Sequence, residues 1–179
     1  MKIIFDTSAF IPENKPEKER KAILELTKLL PDLDITIYVS KKIIKEYGSK
    51  LRLFPGRFRE FFGKVILKAK VQRTCKDLSF GNLRIHRIEP KINLDDRFRN
   101  MVESRCKEYD PEDEKFLELF IHLGKRDDVY LVTAAEDLAC MAKEAKRFFN
   151  LKGLVRDSVY VFLVEIHQSE IEDRGNILK

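Results

Sequence analysis

Short apolar runs alternate along the chain with longer segments in which apolar residues recur every three or four positions. The short runs are rich in β-branched and aromatic residues and predict strands at residues 3–5, 35–39, 83–88, 129–132 and 159–164. The longer segments predict helices at residues 17–30, 41–51, 54–72, 95–108, 111–121 and 138–149. This alternation indicates a three-layer α/β/α domain with a mainly parallel central sheet. In such sheets, functional side chains gather beyond the carboxyl ends of the strands.

The length and composition suit one folded domain. The chain has 179 residues and a net charge of +5, and we expect a single domain over residues 1–168 followed by a polar tail over residues 169–179. The longest apolar runs fall far short of the about 20 residues that a membrane-spanning helix needs. We also find no apolar leader segment, so we predict a cytoplasmic protein without membrane contact.

Cysteine usage agrees with a reducing compartment. The three cysteines, Cys75, Cys106 and Cys140, form no CxxC pair of the kind that binds zinc. We therefore expect free and mostly buried thiols. Lys and Glu are abundant and Gln is scarce, which hints at a thermophilic source.

Four acidic residues lie near strand ends or helix starts. Asp6 follows the first predicted strand, Glu46 borders the apolar stripe of its helix, Asp113 shares the inward face of Phe116, and Asp137 opens the helix after residues 129–132. Each has an ordinary structural alternative. Asp6 would be a turn or helix-cap residue, and Glu46 a surface residue of its helix. Asp113 would be part of a capping box, and Asp137 a first-turn acid that the helix dipole favours. If they converge, their charges repel unless a cation joins them, and oxygen ligands favour Mg²⁺ or Mn²⁺.

Four segments in this order resemble the signatures of the PIN-domain family. The segment Ile3–Phe10 is similar to its strand–Asp–small polar start, and Tyr38–Glu46 resembles its strand, Ser and Glu. Asp113 with the following apolar helix resembles the third signature, and Tyr130–Leu138 resembles the fourth. The fourth departs at Ala135, where the family usually has an acid. The resemblance covers most of residues 1–165.

The resemblance implies a PIN-like fold and a metal-dependent endoribonuclease that cleaves single-stranded RNA to a 5′-phosphate and a 3′-hydroxyl. It carries over four residues as catalytic metal ligands for Mg²⁺ or Mn²⁺: Asp6, Glu46, Asp113 and Asp137. Ser8 and Thr133 would orient ligands or water by hydrogen bonding, and Asp110 or Glu136 would substitute for the missing acid. PIN-like domains are often dimers, so the resemblance suggests a homodimer; we also expect RNA as a ligand and allow for a protein partner or inhibitor.

A basic segment in the middle of the chain predicts a nucleic-acid surface. Residues 41–76 contain 12 Lys and Arg and two acids, a net charge of +10, so the rest of the chain is net acidic. We expect a basic helical insertion over about residues 50–76, and phosphate contacts from Lys41, Lys42, Lys45, Arg52, Arg57, Arg59, Lys64 and Lys68. Phenylalanines interleave with these cations, and we interpret them as core residues rather than as platforms for bases.

Two other functions remain open from the sequence. The first alternative is a catalytically weak or inactive PIN-like module that binds RNA or scaffolds an RNA-processing assembly. Ala135 motivates it, because the family usually has an acid at that position. A phosphatase-like enzyme with Asp6 as nucleophile would need a second acid two residues later, where Ser8 stands. The sequence contains no Walker loop, GxGxxG, HExxH or GxSxG motif.

Overall fold

A computed structural model describes residues 1–72 and 77–177 and, within them, the side chains other than those of residues 68–72, 77, 78, 80 and 170–177. The strands of this part are β1 (Lys2–Phe5), β2 (Thr36–Val39), β3 (Asp77–Phe80), β4 (Leu83–Arg87), β5 (Val129–Val132) and β6 (Leu154–Arg156). The helices are α1 (Glu17–Leu29), α2 (Lys41–Lys50), α3 (Gly56–Gln72), α4 (Asp96–Arg105), α5 (Glu114–Gly124), α6 (Glu136–Phe149) and α7 (Val159–Ile177).

The strands form one sheet in the order β3-β4-β2-β1-β5-β6. The five strands from β4 to β6 run parallel, and helices flank them, which confirms the three-layer α/β/α prediction. The edge strand β3 was not predicted; it pairs antiparallel with β4. The turn between them places Gly81 at φ 61°, a conformation that favours glycine because it has no Cβ.

Local signals correctly predict most helix boundaries. The Ser40 side chain accepts a hydrogen bond from the Ile43 amide at 3.3 Å and so caps α2. Helix α1 ends at Leu29, just before Pro31, which cannot continue a helix. The Asp110–Pro111 pair opens a 3₁₀ turn over Pro111–Asp113, and α5 continues from it.

The prediction of a strand at residues 159–164 is wrong, because this run begins helix α7 and the sixth strand is Leu154–Arg156. The first turn of α7 is held by Glu19 of α1, whose carboxylate accepts hydrogen bonds from Ser158 Oγ at 2.8 Å and from the Tyr160 amide at 3.2 Å. Since Glu19 lies 139 residues from Ser158, no local pattern reveals this cap. The predicted tail boundary at residue 169 falls inside the same helix.

The described part of the basic segment, residues 41–72, forms helix α2, a short 3₁₀ turn and helix α3. Its phenylalanines are buried, which confirms their interpretation as core residues. Phe58 and Phe62 pack on Phe10 with ring centroids 4.5 and 5.6 Å away, and Tyr47 lies 4.9 Å from Phe62. Residues 73–76, including Cys75, lie outside the described residues.

Cys106 and Cys140 form a disulfide, so the prediction of free thiols is wrong for this pair. Cys106 directly follows α4, and Cys140 lies in α6, which packs against α4. Their Cα atoms are 5.9 Å apart, within the range that a disulfide spans, although 34 residues separate them in the sequence.

Among the described residues, none of the helices has the length and apolar character needed to span a membrane.

Candidate active site

The carboxyl ends of β1 and β5 bring two predicted site residues together. These strands are parallel neighbours in the sheet, with Phe5 paired to Val132. Asp6 and Thr133 directly follow the two strands, and the Asp6 amide donates to the Val132 carbonyl at 3.0 Å. Thr133 Oγ1 then donates to Asp6 Oδ2 at 2.8 Å. Both residues are buried, with Asp6 only 5% exposed.

Hydroxyl groups surround the Asp6 carboxylate. Ser8 Oγ also donates to Asp6 Oδ2, and Thr7 Oγ1 lies 3.2 Å from Asp6 Oδ1. Asp6 makes no capping bond to the 3₁₀ turn over residues 7–10, so the turn-cap alternative does not describe it. The carboxylate is therefore oriented by side-chain hydroxyl donors.

The hydroxyl groups of Ser8 and Thr133 are themselves held by the backbone at the start of α6. Ser8 Oγ accepts from the Ala134 amide and Thr133 Oγ1 from the Ala135 amide, each at 2.9 Å. Because each oxygen accepts from an amide, its proton is directed to the Asp6 carboxylate. Ser8 and Thr133 thus hold the Asp6 carboxylate in one orientation, and their role toward a ligand or water stays a prediction.

Glu46 reaches the same region from α2. Its Oε1 accepts from Thr7 Oγ1 at 2.7 Å, so one hydroxyl lies within hydrogen-bonding distance of the carboxylates of both Glu46 and Asp6. Its Oε2 forms an ion pair with Lys115 Nζ. Both residues are largely buried, with side-chain exposures of 18% for Glu46 and 10% for Lys115.

Asp113 completes a cluster of like charges. Burial raises the pKa of Asp113 to about 7, and the charges of Asp6, Asp110 and Glu46 add to this effect while Lys115 opposes it. Asp110 caps the turn by accepting from the Glu112 amide at 2.9 Å, whereas the Asp113 side chain makes no capping bond to α5. The capping alternative therefore describes Asp110, not Asp113.

A buried tyrosine lies beneath this cluster. Tyr47 Oη donates to the Phe5 carbonyl at 2.5 Å, at the end of β1. Burial raises the pKa of Tyr47 well above its ordinary value, and the neighbouring charges of Asp6 and Glu46 act in the same direction. The phenol therefore stays neutral and fixes the position of α2 relative to β1.

The structure does not join Asp137 to these acids. Asp137 and the exposed Glu136 lie in the first turn of α6. Asp137 is half-buried, and within the described part of the chain its side chain makes no hydrogen bond or ion pair. Of the four predicted ligands, Asp6 and Glu46 both lie within hydrogen-bonding distance of the Thr7 hydroxyl, and the charges of both, with that of Asp110, raise the pKa of Asp113 beyond the effect of burial.

A cleft of about 670 Å³ opens over Glu46 and Asp113. Its walls come from α2 and from the turn that leads into α5, with side chains of Lys42, Lys45, Glu46, Ser49, Lys50, Asp110, Pro111, Glu112, Asp113, Glu114, Lys115 and Glu118. Lysines of α2 thus face acids of the opposite wall, and Lys42 pairs with Glu118 at 3.3 Å.

The predicted nucleic-acid contacts divide between this cleft and its surroundings. Lys42 and Lys45 line the cleft. The other described members are exposed on α2, on α3 or between them: Lys41, Arg52, Arg57, Arg59 and Lys64. Arg59 also donates to the Phe54 carbonyl at 3.2 Å, which ties its guanidinium to the start of α3. The side chain of Lys68 lies outside the described residues.

Sequence reasoning missed Lys115 and Thr7. Lys115 stands in the first turn of α5, where the helix dipole disfavours a cation. A lysine at this unfavourable position in the sequence could have indicated that acidic side chains lie near it in the fold. Thr7 carries no such signal, because its role depends on α2 packing beside β1.

The acids match the chemistry of a hard divalent cation. Carboxylate and hydroxyl oxygens suit Mg²⁺ or Mn²⁺, and a dication would relieve the repulsion that adds to the effect of burial on the pKa of Asp113. Among the residues that the structure describes, however, no three His, Cys, Asp or Glu side chains are grouped as around a metal ion. The Lys115 ammonium instead neutralises Glu46.

No model of a known protein family matches the chain, and no curated protein matches it.

Proposed function

We propose that the protein is a metal-dependent endoribonuclease of PIN type that hydrolyses phosphodiester bonds of single-stranded RNA in the cytoplasm. The observation that carries the proposal is that Asp6 and Glu46 both lie within hydrogen-bonding distance of the Thr7 hydroxyl and that their charges add to the effect of burial, which raises the pKa of Asp113 to about 7. Asp6 and Glu46 are 40 positions apart in the sequence, and Asp113 lies 67 positions beyond Glu46. Acids that repel one another destabilise a fold, so their retention beside one another, with Glu46 and Asp113 lining the cleft, favours a binding role.

Asp6, Glu46 and Asp113 would hold the ion, with Asp110 beside them in place of a fourth acid. Bound Mg²⁺ or Mn²⁺ supplies an activated water and compensates charge on the scissile phosphate. The chain's own hydroxyl groups orient the ligands, since Thr7 contacts both Asp6 and Glu46 and Ser8 and Thr133 fix Asp6. Lys42 and Lys45 line the cleft from α2 and would bind RNA phosphates.

The cytoplasmic location and the partners form part of the same proposal. The Cys106–Cys140 disulfide is compatible with a cytoplasm when the source is hyperthermophilic, because such organisms keep intracellular disulfides. RNA is the proposed ligand, and a second copy of the chain or an inhibitory protein is the proposed macromolecular partner.

The test is cleavage of an end-labelled single-stranded RNA in Mn²⁺, with the wild-type protein, Asp6→Asn and a surface control, Asp128→Asn. Asp6→Asn should lower the rate about a hundredfold or more, and EDTA should abolish cleavage by the wild type. Asp128 is exposed and lies outside the cleft, so its variant should cleave normally. Equal cleavage by wild type and Asp6→Asn would exclude this active site.

A second candidate function is RNA binding without catalysis. The Lys115–Glu46 ion pair favours it, because a neutralised carboxylate has less need of a metal ion. In that case, RNA binding should weaken steeply with salt, and Mn²⁺ should produce no cleavage.

A further inference from the structure

Lys115 occupies a position that neither helix formation nor solubility explains. Its side chain is 10% exposed, and the residue lies in the first turn of α5, the end of the helix where the dipole disfavours a cation. Burying a lysine is costly unless an acid compensates its charge. The compensation comes from the candidate site itself, through the ion pair with Glu46 Oε2.

The same ammonium has a second acidic partner at the surface. Glu112 Oε2 lies 3.3 Å from Lys115 Nζ, and the Glu112 side chain is 85% exposed. Both acids line the cleft, one at its buried end and one at its exposed edge. The flexible four-carbon stem of a lysine permits its ammonium to move between such partners without movement of the backbone.

We propose that Lys115 is the resident counter-cation of the carboxylate site: its ammonium holds Glu46 when no divalent ion is bound, and an incoming ion displaces it toward Glu112 and the open cleft. This inference rests on the proposed function, because the displacing ion is the one that Asp6, Glu46 and Asp113 would bind. In the displaced position, the ammonium faces the space where an RNA phosphate would lie.

Two consequences follow from this exchange. Without Lys115, Glu46 loses its buried partner, so the metal-free protein should be less stable. The divalent ion no longer competes with the ammonium, so it should bind more tightly, by about tenfold for a typical coupling between two ligands. A lysine that served only to fasten α5 to α2 would lower stability without tightening metal binding.

The experiment measures Mn²⁺ affinity by calorimetry and thermal unfolding in EDTA for the wild type, Lys115→Met and Lys115→Gln. Lys115→Gln keeps a polar side chain that can donate to Glu46, and so serves if the methionine variant does not fold. Lys50→Met is the matched control, because Lys50 is an exposed lysine of the same cleft. Both Lys115 variants should unfold at lower temperature in EDTA and bind Mn²⁺ about tenfold more tightly; the control should change the affinity by less than about twofold.

The outcomes separate this inference from the proposed function. Binding by the wild type with equal or weaker binding by the Lys115 variants overturns the inference and leaves the proposed metal site intact. Binding by the variants alone supports Lys115 as a competing cation and contradicts a metal-dependent activity of the wild type. Absence of Mn²⁺ binding by every variant overturns both.

Discussion

The pKa of Asp113 reports both its burial and the acids near it. Its pKa in the folded protein is raised from 3.8 to about 7, chiefly by burial and then by the charges of Asp6, Asp110 and Glu46. The folded state therefore binds a proton more tightly than the unfolded state. Its stability should fall as the pH rises from about 4 to about 7, and the full penalty should be present above that range.

The loss of folding stability can be calculated from the shift of the Asp113 pKa. A rise from 3.8 to about 7 corresponds to about 4 kcal/mol at 1.36 kcal/mol for each pKa unit. Solvent screening at a partly exposed carboxyl reduces this to about 2 kcal/mol. Asn cannot ionise, so Asp113→Asn should stabilise the protein by about 2 kcal/mol at pH 8 and have little effect at pH 4.

Urea unfolding of the metal-free wild type and Asp113→Asn at pH 4, 6 and 8 gives the free energy of unfolding for each. The difference in free energy of unfolding between the two proteins cancels the contributions of acids that titrate in both. The exposed Asp128→Asn variant is the control and should change stability by less than about 0.5 kcal/mol at every pH. The reasoning is refuted if Asp113→Asn is destabilised at pH 8, or if its stability difference does not vary with pH.

Two further predictions concern long-range contacts. Replacing Cys106 and Cys140 together by Ala should lower the free energy of unfolding by about 4 kcal/mol in urea titrations. The reason is the loop-closure entropy that the disulfide removes from the unfolded chain across a separation of 34 residues. A loss below about 1 kcal/mol would contradict a formed disulfide. Tyr47→Phe should cost about 1–3 kcal/mol in thermal unfolding, because the buried Phe5 carbonyl loses its donor. Since the raised pKa keeps the phenol of Tyr47 protonated, this loss should be the same at pH 6 and pH 9, and a loss confined to one pH would contradict that role.

Strand and helix formation was predictable wherever the information is local. The apolar periods predicted the parallel strands β1, β2, β4 and β5, and Ser40 predicted the start of α2 through a capping bond to a residue three positions away. The same local reasoning failed at residues 159–164. That run has the composition of a strand, but its buried members Val159, Phe162 and Leu163, together with Ile166 just after it, follow helical spacing.

The candidate site was predictable in part for the same reason. Asp6 follows a strand that the sequence identifies, and the rule that side chains gather beyond parallel strand ends placed it beside Thr133. Asp137 satisfied the same rule but makes no hydrogen bond or ion pair in the described residues. Position along the chain therefore selects the edge of the sheet at which an acid lies, without determining which acids interact.

The sequence by itself determined the α/β alternation, the buried phenylalanines of α3 and the acids at the strand ends, since apolar period, capping and turn chemistry act within a few residues. Only the tertiary structure decided the helical state of residues 159–177, the Cys106–Cys140 disulfide, the Lys115–Glu46 ion pair and the raised pKa of Asp113. Each of these depends on elements that are distant in the chain, and on burial that strengthens the interaction between charges when water is excluded.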